Sequence, residues 1–208
     1  MKILSLTAGG ALAAALFIVS CTHATTTEPA AGAGAAGSTA ATAAADAKSF
    51  ETVYAVLQHP RCLNCHPAGD APLQGDDSHA HQQNIQRGPD GNGPPGLSCT
   101  ACHGLSNKPA AYGANMPPGS SEGWRLPKAS MKLVFEGMAP RALCEQLRDP
   151  QRNGGKDLAG LVHHVTEAPL VLWGWDPGVG RKPVPTPHAE FVAAFKAWAD
   201  KGGPCPAQ

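Results

Sequence analysis

RCLNCHPAGD, Arg61 to Asp70, and LSCTACHGLS, Leu97 to Ser106, carry the same pattern, Cys-x-x-Cys-His. Two cysteines at this spacing serve alone as a redox dithiol or as half of a zinc site. The histidine joined to both pairs points elsewhere. Cysteines three apart on a helical turn reach the two vinyl groups on one porphyrin edge, and the adjacent histidine turns under the ring to meet the iron. The repeat therefore predicts two covalently attached haem c groups. Cys62 and Cys65 would hold the first, with His66 as proximal iron ligand; Cys99 and Cys102 would hold the second, with His103.

Zinc is the rival, with Cys62, Cys65, Cys99 and Cys102 as a four-thiolate knuckle. It leaves both histidines as coincidence and asks four thiolates to stay reduced outside the cell. A thioredoxin-like dithiol fits less well, because no βαβ pattern surrounds either motif. The interval 67–98 is short and rich in Gly, Pro, Asp and Gln. It leaves no room for a complete single-haem domain between the motifs. Both haems are expected in one compact domain, close enough to exchange electrons.

Composition agrees. The chain has 208 residues with 24 glycines and 20 prolines, which favours loops over long regular elements. Five Phe, two Tyr and four Trp leave few large side chains for a core, so a cofactor is expected to fill part of the interior. The formal net charge is zero, which excludes a polybasic nucleic-acid surface. The expected fold is mainly α with long irregular loops: a compact di-haem cytochrome c domain with little or no β-sheet.

Residues 1–20, MKILSLTAGGALAAALFIVS, form a charged start and an apolar run of secretory type. The ending Ile18-Val19-Ser20-Cys21 resembles a lipobox, which predicts acylation of Cys21 and anchorage at a membrane surface; ordinary cleavage near Ala24 is the alternative. Residues 21–47 are Ala-, Gly- and Thr-rich and read as a flexible tether, so the ordered di-haem domain is assigned to 48–208. With Cys21 lipidated and four cysteines on haem, Cys144 and Cys205 remain, and in an oxidising compartment they are expected to pair as a disulfide.

Apolar spacing predicts helices around the motifs. In SFETVYAVLQHP, Phe50, Val53, Val56 and Leu57 share a face, with Ser49 as cap and Pro60 as stop. Two short helices are expected across 126–147, broken near Gly137 to Pro140. Another spans 157–167, with Leu158, Leu161, Val162 and Val165 inward. The last runs from about Pro187 to Lys201 with Phe191, Phe195 and Trp198 on one stripe and Gly202 past its end. No convincing alternating strand is present.

Each iron needs a sixth ligand or an open position. The candidates are His59, His79, His81, His163, His164 and His188, with Met116, Met131 and Met138. His164 lies nearer the apolar stripe of its helix than His163 does, and His81 is preferred in the inter-motif loop. Met116 in NMPPG and Met138 in GMAP remain rivals, because methionine before proline in a loop resembles a distal cytochrome ligand. Arg87, Arg125 and Arg181 are candidate partners for haem propionates. Trp173 or Trp175 would cover a haem edge or simply pack. Asp90 and Asn92 hint at a calcium loop whose full pattern is missing.

Taken together, CLNCHPAGDAPLQGDD, RGPDGNG, LRDPQRNGG, LVLWGWDPG and AWADKGGPCP resemble a family of exported bacterial proteins labelled "isoquinoline 1-oxidoreductase subunit", over nearly all of 50–206. The resemblance implies association with a molybdenum hydroxylase, of which this chain would be the electron-accepting member: it has no iron–sulfur cysteine set and no room for a pterin-binding domain. The expectation is a periplasmic, lipid-anchored cytochrome relaying single electrons from a dehydrogenase to the respiratory chain, with no nucleic-acid partner. A di-haem peroxidase or a gas-sensing haem protein with one open iron is the alternative.

Overall fold

The computed structural model describes residues 48–207. The expected signal, the expected lipidation site Cys21 and the expected tether lie outside them. Regular structure among the described residues is helical apart from one two-stranded ribbon, so the fold is mainly α. No helix among them is long and apolar enough to cross a membrane.

Helix α1 covers 48–57. Phe50, Val53, Val56 and Leu57 all bury on one face, as their spacing requires. Ser49 lies within this helix rather than ahead of it. Pro60 disfavours helical geometry at the residue before it, and His59 is accordingly extended (φ −72°, ψ 145°). The same proline then occupies the first turn of α2 (Pro60–Leu63), where its missing N–H costs nothing. Pro60 thus ends one helix and opens the one that carries the first motif.

The remaining helices are α3 (Pro140–Arg148), α4 (Leu158–Glu167), α5 (Pro169–Leu172) and α6 (His188–Ala199). Asp157 caps α4 by accepting from the Gly160 N–H at 2.7 Å. Leu143, Cys144 and Leu147 of α3, Leu161 and Val165 of α4, and Phe191, Phe195 and Trp198 of α6 close on the α1 face to form one core with Phe135 and Val184. Burying each of these large side chains is worth roughly 1.5–3 kcal/mol. The Cys144–Cys205 disulfide is present, joining α3 to the tail after α6. Trp198 Nε1 donates to the Pro204 carbonyl beside it.

Two expectations change. The span 126–135 is not a helix; only α3 forms in 126–147. Its carbonyls are taken by other elements: Leu133 O meets the His66 ring, Val134 O accepts from Gln146, and Phe135 O accepts from Gln58. A helix would have consumed those carbonyls internally. Conversely, a small antiparallel ribbon exists, β1 (Leu73–Gln74) with β2 (His79–Ala80), in register Leu73↔Ala80 and Gln74↔His79. Its turn begins at Gly75, whose φ of +80° favours glycine.

Between the motifs there is little apolar core. Arg87, 1 % exposed, holds the region instead. It donates to the carbonyls of Pro127 and Gly69 at 2.7 and 3.0 Å, while its backbone N–H donates to Asp70 O. Arg87 therefore spends most of its donors on the backbone. Arg125 is engaged by Glu122, and Arg181 donates to the carbonyls of Met116 and Pro177.

Candidate functional site

Each motif coils into a single hydrogen-bonded turn. In the first, Cys65 N donates to Cys62 O and His66 N to Leu63 O. In the second, a 3₁₀ turn (Cys99–Ala101) places Cys102 N on Cys99 O, with His103 N also on Cys99 O. The turn brings each cysteine pair to one side of the chain and sets its histidine directly after. All four cysteines are free thiols. Burial pushes the Cys62 thiol up to about 12 and that of Cys65 up to about 11, so neither is poised as a thiolate. Among the described residues, no group of three or more Cys, His, Asp or Glu converges as a metal cage. The four cysteines of the knuckle are thus not gathered into one cage among the described residues.

The motif histidines are held alike. His66 Nδ1 lies 2.7 Å from Leu133 O, and His103 Nδ1 lies 2.8 Å from Pro118 O. A carbonyl only accepts, so in each ring Nδ1 carries the hydrogen and Nε2 keeps its lone pair. This is how a protein fixes the tautomer and angle of a metal-binding imidazole. Aromatic rings complete the seats. Phe135 stacks on His66 at 3.9 Å, and Trp124 lies parallel to His103 at 5.1 Å. Trp173 meets Trp124 edge-on and anchors its own Nε1 on Asn107. Trp175 instead packs on His188 and Phe191, with its Nε1 on Thr186 O.

Most candidate sixth ligands have other partners. His59 Nδ1 accepts from Arg61 N and caps α2; His79 pairs with Asp77 on the surface. His163 faces Glu167, and His188 Nε2 donates to Val165 O. Met131 Sδ accepts from Gly154 N, and Met138 packs against the core. Met116 falls in the stretch whose Pro118 carbonyl holds His103 Nδ1, and its own carbonyl accepts from Arg181.

His81 and His164 remain. The His81 and His103 rings are 6.2 Å apart between centroids, at 55°. Two imidazoles on opposite sides of one metal, with bonds of about 2.0–2.1 Å, have centroids roughly 6 Å apart. The pair fits one iron. His81 Nδ1 is also buried without a hydrogen-bond partner among the described residues. Such a group costs about 1–3 kcal/mol, which coordination of the ring would help to offset. His164 lies close enough to His66 for charge on one to oppose charge on the other. Burial lowers the pKa of all four rings, that of His66 to about 4, leaving the neutral imidazole that a metal requires. At the second motif the residues present fit an iron porphyrin, and at the first His66 is held in the same way as His103.

Sequence reasoning missed Arg61. It is 4 % exposed and donates through Nη2 to Gly75 O and Asp76, both at 2.7 Å, with its guanidinium over Trp173. An arginine beside a motif carries no sequence signal of burial. Asp90 and Asn92 gather no cation cage.

No family model matches this chain, and neither a curated protein nor a solved structure matches it.

Proposed function

We propose that this chain is an exported di-haem c-type cytochrome that relays single electrons. Cys62, Cys65 and His66 hold one haem with His164 as sixth ligand; Cys99, Cys102 and His103 hold the other with His81. The observation that carries the reading is the shared seating of the two motif histidines: each Nδ1 is given to a backbone carbonyl, which leaves Nε2 as the coordinating nitrogen, and the His81 ring stands 6.2 Å from that of His103.

Bound haem supplies reversible one-electron iron chemistry. The chain supplies ligands, fixed ring angles and a graded environment. Cys62 and Cys65 of the first site are half-buried, whereas Cys102 of the second is exposed, with exposed Leu105 following its motif. Exchange with partner proteins belongs to that exposed side. A periplasmic dehydrogenase is the proposed donor, a molybdenum hydroxylase by the resemblance above, and the respiratory chain the acceptor. Acylated Cys21 holds the domain at the membrane. The peroxidase and gas-sensor readings need one iron without a protein sixth ligand, and the His81–His103 spacing speaks against that at the second site.

Protein from cells competent in cytochrome maturation, examined by pyridine haemochrome and intact mass, should carry two thioether-linked haems. Low-spin spectra without a near-infrared methionine-to-iron band are expected. Colourless protein with zinc bound would sink the proposal, and one high-spin haem with peroxide turnover would favour the enzyme reading.

A further inference from the structure

The first part of the loop between the motifs, 73–76, is tied to the first motif. Asn64, which lies between Cys62 and Cys65, is 9 % exposed and donates its Nδ2 to Gly75 O at 2.9 Å. Its backbone carbonyl accepts from Leu73 N at 3.0 Å. Arg61, immediately before Cys62, donates to the same Gly75 carbonyl and to Asp76. Four contacts from one short turn thus grip the start of β1 and the bend that follows it. The ribbon then returns through β2, and His81 leaves it with its N–H on Pro72 O. Its ring stands 6.2 Å from that of His103.

We propose that Arg61 and Asn64 are positioning residues for the second haem site: they clamp the 73–80 ribbon at Gly75 and so set His81 opposite His103. The first motif has two uses. Its cysteines and histidine bind one haem, and the residues beside and inside it place the distal ligand of the other. The buried arginine has a reason in this arrangement. A guanidinium taken from water needs strong acceptors, and here it has a carbonyl and a carboxylate that both belong to the bend it must fix. The ribbon has only two residues per strand and could not hold its own geometry, because isolated short hairpins are marginal in water. The clamp replaces the missing strand length. This inference rests on the haem reading and on His81 as ligand.

The test uses the mature holoprotein and the variants Asn64→Asp, Gly75→Ala and His81→Ala. Asn64→Asp keeps the side-chain shape but removes the donor. Gly75→Ala acts from the other end of the clamp, since a Cβ there would lie 2.6 Å from Asp77 Oδ1 in a backbone conformation alanine avoids. Haem content should stay at two in all three. His81→Ala should convert one of the two haems to a high-spin, CO-binding form. Asn64→Asp and Gly75→Ala should each produce the same change in part, and Asn64→Asp should add nothing when combined with His81→Ala. Arg61→Lys, which keeps a donor for Asp76, should be milder than Arg61→Met.

If Asn64→Asp and Gly75→Ala both keep two fully low-spin haems while His81→Ala does not, the clamp is refuted and the ligand assignment survives. If His81→Ala itself stays low-spin at both haems, the distal assignment fails and takes this inference with it. If the wild-type protein carries no haem, the functional reading is what has failed.

Discussion

The His66 and His103 rings show how little freedom a ligand side chain needs. Each is fixed at Nδ1 by one carbonyl and at its face by one aromatic ring. Substituting His164 by Ala should open the first iron alone, giving CO binding at one of two haems, read by difference spectroscopy. Met116→Leu should leave both spectra unchanged, because His81 is the histidine that stands near His103. A surface group shows the reverse dependence on charge. Lys132 bonds to Asp70 at 2.9 Å, and with Arg87 nearby it holds the Asp70 carboxyl below its ordinary range. A carboxylate with a depressed folded pKa adds stability above about pH 3.9 and loses it as pH falls through the lower folded value. Asp70→Asn should therefore narrow the stability difference between neutral and strongly acid solution, as measured by urea unfolding.

At the scale of elements, short pieces do work that longer ones do elsewhere. Helix α4 has ten residues and carries His164, and one side-chain cap secures its start. Asp157→Ala should cost about 1 kcal/mol. The 126–135 segment teaches the complementary lesson. Its sequence is compatible with a helix, yet its carbonyls serve His66, Gln146 and Gln58, and Phe135 N donates back to His66 O. Periodicity reports what a segment buries, and it is silent about which carbonyls a distant ring will claim.

Across the whole molecule, stability is concentrated in the helical core, and the motif region depends on bonds to that core. The Cys144–Cys205 bridge spans 61 residues, and opening it should cost about 4 kcal/mol in the chain-entropy account. Denatured, unreduced protein should show no free thiol at either position, and reduction should lower the thermal midpoint by several degrees. Trp198, wholly buried between Phe50 and Phe195, should cost about 3–5 kcal/mol as Trp198→Ala. The sequence by itself determined the two motif turns, the apolar faces of α1, α4 and α6, and the cysteine pair left to bridge, because each is a matter of local spacing or of counting. Only the tertiary structure decided that His81 stands near His103, that Arg61 and Arg87 are buried, and that Pro118 of NMPPG gives its carbonyl to His103. Those depend on carbonyls and rings brought together from far along the chain, and no local pattern encodes where such partners will meet.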